Sequence, residues 1–285
     1  MKMEAERRQF EATDGLTLVG DAFGSRDNPP VLLSHGGGQT RHSWAGTAEI
    51  LAREGWYAVS IDLRGHGESD WAKDGDYHFQ SFANDVEKVA RSFERPPVLV
   101  GASLGGISSL LTAAAGNSTA AALVLVDIAT RMEPKGAERI MNFMRAKLDG
   151  FASLEEAADA IAAYNPHRPR PKDLSGLRKN LRERPDGRFE WHWDPAFMSS
   201  RPGQPAEPPN FQSLDDLARA LTIPTLLVRG RMSDLLSQEG ADHFLELVPH
   251  AKFADVSGAG HMVAGDRNDA FAKSVVDFLR DHVPH

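Results

Sequence analysis

The stretch VLVGASLGG, residues 98–106, decides the fold that this sequence predicts. It opens with three apolar residues typical of a buried strand, places Ser103 between Gly101 and Gly105, and leads into a helical pattern. A strand-to-helix turn this tight leaves no room for side chains two residues before and after the serine. The turn lifts the hydroxyl above the carboxyl edge of a sheet, beside the first amides of the helix. We therefore interpret Ser103 as a nucleophile.

Short apolar runs alternate with amphipathic helical stretches, which is typical of a mostly parallel α/β sheet covered by helices on both faces. The predicted parallel strands are 31–34, 57–61, 98–100, 122–126, 225–228 and 251–256. An antiparallel hairpin is predicted before them, from 9–12 and 16–19 around the turn Thr13-Asp14-Gly15.

The alternation stops at Asp127 and resumes at Thr225. We therefore expect a core domain of residues 1–127 and 214–285, with a mainly helical cap inserted at 128–213. Helices are predicted at about 136–149, 154–164 and 268–282, and the Pro-rich segment 200–209 is predicted to be a mobile linker. Because ligands bind at the carboxyl ends of such strands, a cap there would cover the site.

The composition excludes several classes of protein. The 285 residues are 41% hydrophobic and 25% charged, with no run long enough to span a bilayer. The net charge of −8 disfavours a nucleic-acid partner, and the absence of cysteine excludes disulfides, thiol catalysis and cysteine metal sites. The charged start, MKMEAERR, lacks the apolar segment of a secretory peptide, so we expect a cytoplasmic protein. We expect a small-molecule substrate and no metal; homo-oligomerisation stays open.

A serine hydroxyl needs a base within hydrogen-bond reach and an acid to fix the tautomer of that base. In the expected chain order of serine, acid and histidine, Asp234 follows the strand 225–228 and His261 follows the strand 251–256 through a glycine-rich loop. Asp127, directly after the strand 122–126, is the alternative acid. His66 is expected to hold its own loop by hydrogen bonds instead.

Acyl transfer also needs donors for the oxyanion that forms during attack. The glycines of HGGG, residues 35–38, directly follow a predicted strand. We assign the N–H groups of Gly37 and Leu104 as the two donors, with Gly36 or Gly38 as alternatives to Gly37.

These motifs together resemble the α/β-hydrolase fold with a helical cap, in the branch of esterases, haloperoxidase-like perhydrolases, enol-lactonases and carbon–carbon bond hydrolases. The resemblance covers nearly all of residues 9–283 apart from the cap. It rests on the elbow, His35-Gly36 followed by Trp44, the stretch 62–69 (DLRGHGES), Gly230 to Asp234, and Gly260-His261. It implies a cofactor-independent enzyme with the triad Ser103, Asp234 and His261. Serine stands where the family's epoxide hydrolases and haloalkane dehalogenases have aspartate, which argues against those two activities.

The cap supplies candidate substrate-binding residues. We assign Trp191 and Trp193 to this role together with Gly38, although aromatic residues of an inserted domain more often form its own core. The main hypothesis is a serine hydrolase of small to medium carboxylic esters or thioesters. Lactone opening or carbon–carbon cleavage by the same triad is the alternative, and a non-catalytic small-ligand receptor is the hypothesis from another class.

Overall fold

The centre of the molecule is an eight-stranded sheet. The computed structural model describes residues 3–115, 119–166, 170, 172–198, 211–266 and 268–283. The strands are β1 (Glu6–Glu11), β2 (Thr17–Phe23), β3 (Pro30–Ser34), β4 (Tyr57–Ile61), β5 (Val98–Ala102), β6 (Ala122–Val126), β7 (Leu181–Glu183), β8 (Phe189–Trp191), β9 (Thr225–Gly230) and β10 (Lys252–Val256). Their order in the large sheet is β1-β2-β4-β3-β5-β6-β9-β10. β2 is antiparallel to both β1 and β4, and every other neighbouring pair is parallel.

Helices cover both faces of this sheet. The described helices are α1 (Ala45–Arg53), α2 (Phe79–Ala90), α3 (Leu104–Ala114), α4 (Pro134–Arg145), α5 (Leu154–Tyr164), α6 (Phe211–Arg219), α7 (Gln238–Leu247), α8 (Val263–Asp266) and α9 (Asn268–His282), and α4 and α5 belong to the segment between β6 and β9. Successive strand residues point to opposite faces. Leu99 therefore lies in the apolar cluster that includes residues of α2, α3 and α7. Val98 and Val100 lie in the cluster that includes residues of α1 and α9. The predicted α/β architecture is confirmed.

The opening hairpin also forms as the sequence indicates. β1 pairs with β2 in a register that sets Phe10 opposite Leu18. The turn between them contains Asp14 at φ 58° and Gly15 at φ 71°. The side chain of Leu18 in this hairpin is fully buried, so the hairpin extends the apolar core beyond β4.

The segment between β6 and β9 packs around a small core of its own. We call residues 128–213 the insert. Its buried apolar side chains are Met144, Phe151, Ala157, Leu181, Phe189, Trp191, Trp193 and Met198. The insert is not wholly helical, because β7 and β8 form an antiparallel hairpin that the sequence did not predict. The predicted linker 200–209 lies outside the described residues.

The two ends of the insert differ from the predicted bounds. α4 ends at Arg145, four residues earlier than expected, whereas α5 has the predicted bounds. The predicted boundary at residue 213 falls inside α6, whose Leu214 and Ala218 are buried in the same cluster as residues of α3. α6 therefore packs with the sheet's own helices. Among the described helices, none is both long and apolar enough to cross a bilayer.

Strand register brings the ends of β5 and β6 together. Ala102 pairs with Val126, and Val126 pairs with Val228 of β9. The residues that follow, Ser103 and Asp127, therefore leave the sheet side by side at its carboxyl edge. Ser103 N–H donates to the Val126 carbonyl at 3.4 Å, which continues this pairing past the last strand residue.

Candidate active site

Ser103 occupies a strained turn between β5 and α3. Its backbone has φ 47° and ψ −114°, a conformation that L-residues with a side chain rarely adopt. A Cβ at Gly101 would collide with the backbone of Gly105, and a Cβ at Gly105 would collide with the Ser34 carbonyl. The glycines are therefore required by close backbone approach, as expected for a nucleophile elbow.

His261 is held by a carboxylate at the same edge of the sheet. Its Nδ1 lies 2.7 Å from Oδ2 of Asp127. The Asp127 side chain is fully buried, and the imidazole is 17% exposed. This hydrogen bond leaves Nε2 as the ring nitrogen that can take a proton from a substrate-side group. The hydroxyl of Ser103 makes no hydrogen bond to any residue that the structure describes, so a Ser103–His261 contact belongs to the proposal below.

The structure corrects the prediction that Asp234 orients the histidine. Asp234 is 41% exposed and forms an ion pair at 2.7 Å with Arg139 of α4. The loop after β9 turns so that Ser233, one residue earlier, faces the buried carboxylate of Asp127. The Asp234 backbone instead lies against Gly136 of α4, where a Cβ would collide with the Asp234 carbonyl. The alternative acid, Asp127, is the one that contacts His261.

The glycine loop after β3 has one unused donor. Gly36 N–H donates to Oε1 of Gln39 at 3.2 Å, and Gly38 N–H donates to Nε2 of His66 at 3.1 Å. Within the described residues the N–H of Gly37 has no hydrogen-bond partner. The N–H of Leu104 is the first of α3, before the hydrogen bonds of the helix begin. Gly37 and Leu104, rather than Gly36 or Gly38, are therefore the amides that an oxyanion could use.

Two buried histidines cross-link the glycine loop to the loop after β4. His35 Nδ1 donates to the Gly36 carbonyl at 2.8 Å, and its Nε2 accepts from Leu63 N–H at 3.0 Å. His66 Nδ1 donates to the Arg64 carbonyl at 2.9 Å while its Nε2 accepts from Gly38. Each ring thus uses one nitrogen as donor and the other as acceptor, which only neutral imidazole can do.

Burial sets the charge of this histidine pair. The rings lie 5.1 Å apart and are fully buried. Burial, with a smaller effect from the neighbouring His35, lowers the pKa of His66 to about 3. Burial likewise lowers the pKa of His35. The expectation that His66 is structural is confirmed.

Side chains of the insert lie directly against the glycine loop. A Cβ at Gly37 would be 3.4 Å from Cζ of Phe197, and a Cβ at Gly38 would be 3.2 Å from the Trp193 ring. Trp191 stacks behind Trp193 at 4.7 Å and 13°, inside the core of the insert. Of the two tryptophans assigned to substrate binding, Trp193 reaches the loop and Trp191 packs in the insert. Phe197 belongs to the same aromatic stretch as Trp191 and Trp193, which could line an apolar pocket, but it is not among the residues assigned to substrate binding.

Phe197 is fixed in place by the core. Its ring meets the His66 ring edge-on at 4.8 Å and lies 5.9 Å from Tyr77. The Tyr77 hydroxyl donates to Oδ2 of Asp194 at 2.6 Å, and Asp194 N–H donates to the Gly65 carbonyl at 2.8 Å. Burial and the Asp194 carboxylate raise the pKa of Tyr77, so the phenol stays a donor. The turn that carries Phe197 is therefore tied to the core at two points.

A sequence model of the alpha/beta hydrolase fold matches residues 29–267, which include the elbow, the glycine loop and His261. The chain belongs to the alpha/beta hydrolase family. Both the expected fold and the expected enzyme class, a hydrolase, are confirmed by this match and by the relatives below.

Relatives of this alpha/beta hydrolase include named esterases. Esterase Rv0045c of Mycobacterium tuberculosis is 29% identical over 283 residues, covering 95% of this chain and 88% of that protein. Its crystal structure superposes with a TM-score of 0.76 at 28% identity, over 97% of this chain and 92% of that one. Mouse protein phosphatase methylesterase 1 is 34% identical over 139 residues, which is 47% of this chain and 36% of that protein.

A solved alpha/beta hydrolase from Novosphingobium aromaticivorans is also similar, with a TM-score of 0.80 and 28% identity over 96% of this chain and 98% of that one. The similarity to these structures extends over the insert as well as the sheet, since nearly the whole chain is covered.

Proposed function

We propose that this alpha/beta hydrolase cleaves carboxylic esters through an acyl-serine intermediate, with Ser103 as nucleophile, His261 as base and Asp127 as acid. The observation that carries the proposal is the 2.7 Å hydrogen bond between His261 and a buried carboxylate one strand away from the nucleophile elbow. The named relatives, an esterase and a methylesterase, support ester substrates.

In the first half-reaction, Oγ of Ser103 attacks the ester carbonyl carbon and its proton passes to Nε2 of His261. Asp127 stabilises the imidazolium through the hydrogen bond to Nδ1 and keeps the ring in the right tautomer. The negative charge that develops on the carbonyl oxygen is bound by the N–H groups of Gly37 and Leu104. Collapse of the tetrahedral intermediate breaks the bond to the alcohol, which leaves with the proton from His261.

The second half-reaction repeats these steps with water. His261 takes a proton from a water molecule as its oxygen attacks the acyl carbon, and the same two amides bind the oxyanion. Breaking the bond to Oγ returns the proton to Ser103 and releases the carboxylic acid. The cycle is balanced by one water and needs no cofactor.

We also propose that the insert acts as a cap that sets the size of the acyl group. Phe197 and Trp193 lie against the loop that would hold the oxyanion, and a Cβ at Gly38 would be 3.0 Å from Cε of Met144. The acyl chain of a bound ester would extend from its carbonyl carbon past this loop. Phe197, Trp193 and Met144 would therefore line the space that the acyl chain occupies. Short acyl chains are therefore favoured.

The decisive experiment is labelling with a fluorophosphonate, which reacts only with an activated serine. We expect stoichiometric labelling of Ser103 and turnover of p-nitrophenyl acetate, both abolished in Ser103→Ala. A matched control is Ser108→Ala, since Ser108 lies one turn along α3 and its hydroxyl donates to the Leu104 carbonyl. Tight ligand binding without labelling or turnover would instead support a receptor. A panel of esters, thioesters and lactones then ranks the substrate classes.

A further inference from the structure

Among the residues that the structure describes, three donate hydrogen bonds to the carboxylate of Asp127. Gly230 N–H donates to Oδ1 at 2.9 Å. Oδ2 is shared between His261 Nδ1 at 2.7 Å and the hydroxyl of Ser233 at 2.5 Å. Ser233 is therefore bonded to the same oxygen atom that orients the imidazole.

The hydroxyl of Ser233 is itself fixed by the backbone. Its Oγ accepts the N–H of Leu235 at 3.1 Å and that of Leu236 at 3.2 Å. The Ser233 N–H donates to the Gly230 carbonyl at 2.9 Å, which closes the turn that presents the side chain. Because two amides donate to the oxygen, its single proton is directed to Asp127.

We propose that Ser233 is a positioning residue for the triad, an inference that rests on the proposed function. It donates to Oδ2 of Asp127, the oxygen that also meets His261 Nδ1. It thereby limits rotation of a carboxylate whose only other side-chain hydrogen bond among the described residues is to the histidine. Gly230 fixes the other oxygen, so the pair of donors from one turn sets the orientation of the acid.

This role explains why the residue before Asp234, and not Asp234 itself, faces the site. A carboxylate at position 233 would meet the buried charge of Asp127, whereas a hydroxyl donates to it. The loop after β9 therefore contributes a donor to the triad while β6 contributes the acid.

The test compares steady-state kinetics of p-nitrophenyl acetate hydrolysis by the full chain and its variants. We expect Ser233→Ala to lower kcat about tenfold, equivalent to about 1.4 kcal/mol, with KM within about twofold, because ground-state binding is untouched. Ser233→Thr keeps the hydroxyl and should restore most of kcat. The matched control is Ser237→Ala: Ser237 caps α7 through Gly240 N–H at 3.1 Å and has no bond to Asp127.

A second readout is the low-field proton NMR signal of His261 Nδ1–H, which reports the hydrogen bond to Asp127. It should shift in Ser233→Ala and stay in place in Ser237→Ala. If Ser233→Ala does not fold, Ser233→Cys replaces it, and the weaker thiol donor should give a kcat below that of the threonine variant.

The outcomes separate this inference from the proposed function. Wild-type kcat and an unmoved proton signal in Ser233→Ala, alongside an inactive Asp127→Asn, would overturn the role of Ser233 alone. Full activity of Asp127→Asn would instead overturn the triad on which the inference rests. Loss of kcat in Ser233→Ala that threonine does not restore would also contradict a positioning hydroxyl.

Discussion

Nδ1 of His261 and Oδ2 of Asp127 lie 2.7 Å apart, at the end of the strand next to the nucleophile elbow. Asp127 N–H donates to the Val228 carbonyl at 2.7 Å, so the backbone that carries this carboxylate still belongs to the sheet. An acid held by a strand is more rigid than one on an extended loop. Such rigidity suits the proposed mechanism, in which Asp127 keeps a proton of His261 on Nδ1.

The first prediction separates the two candidate acids. Asp127→Asn should lower kcat for p-nitrophenyl acetate by about 10⁴-fold, because the amide favours the wrong imidazole tautomer. Asp234→Asn should stay within about twofold of wild type, since its carboxylate faces Arg139. Steady-state kinetics of both purified variants decide the matter, and a large loss in Asp234→Asn would contradict the observed geometry.

The ion pair between Asp234 and Arg139 should matter little for stability. The side chains are 41% and 47% exposed, and such pairs contribute about 0–1 kcal/mol. We expect a double-mutant cycle of Asp234→Asn and Arg139→Gln, measured by urea unfolding, to give a coupling energy inside this range. A coupling of several kcal/mol would mean that the pair is shielded from solvent.

Phe197→Ala should widen the acyl specificity. Removing the ring frees space beside Gly37, so the ratio of kcat/KM for the hexanoate ester over the acetate ester should rise about tenfold, in line with about 1.4 kcal/mol of extra apolar contact. Phe143→Ala is the control, because Phe143 stacks on Tyr164 at 4.2 Å within the insert. An equal change in both variants would point to general loosening of the insert.

The buried histidine pair predicts a pH dependence of stability. His66 has a folded-state pKa of about 3, below the ordinary value of 6.5, so the unfolded chain binds a proton that the folded chain refuses. The contribution of His66 to the free energy of unfolding is therefore fully present above pH 6.5. As the pH falls from 6.5 towards 3, the free energy of unfolding decreases by up to about 1.4 kcal/mol per pH unit.

Urea unfolding at pH 7 and pH 5 measures this dependence, in a range where most carboxylates stay ionised. His66→Gln should be less stable at pH 7 and should show a smaller drop between the two pH values. An unchanged drop in stability would mean that His66 binds its proton equally well in the folded and unfolded chains.

The sequence predicts the centre of the sheet well because strands such as β3, β4 and β6 are buried on both faces. The run 122–126 is entirely apolar and the run 57–61 is apolar apart from Ser60, and their bounds match β6 and β4. The hairpin of β7 and β8 escapes prediction because each strand has three residues, too few to show an alternating pattern. Contacts with Phe151 and the rest of the insert's core hold it instead.

The candidate site shows a sharper limit. The place of Ser103 in the elbow can be predicted from the local sequence, because one short turn forms the elbow. The acid depends on which way a loop faces: Ser233 and Asp234 are neighbours, and only the three-dimensional turn decides which of them meets the site. Asp127 follows a strand directly, which is the signal that kept it as an alternative. Likewise, the structure is needed to distinguish the N–H of Gly37 from those of Gly36 and Gly38, because only their hydrogen-bond partners show which of the three is unused.

The proposed acid also marks the point where the chain leaves the sheet for the insert. Asp127 has φ 51°, and Ile128 and Ala129 after it are buried. The root of the insert is therefore packed beside the proposed acid, whereas β7, β8 and α5 contribute to the insert's own core. Under the proposed mechanism, substrate preference could change within the insert while the residues of proton transfer stay at the edge of the sheet.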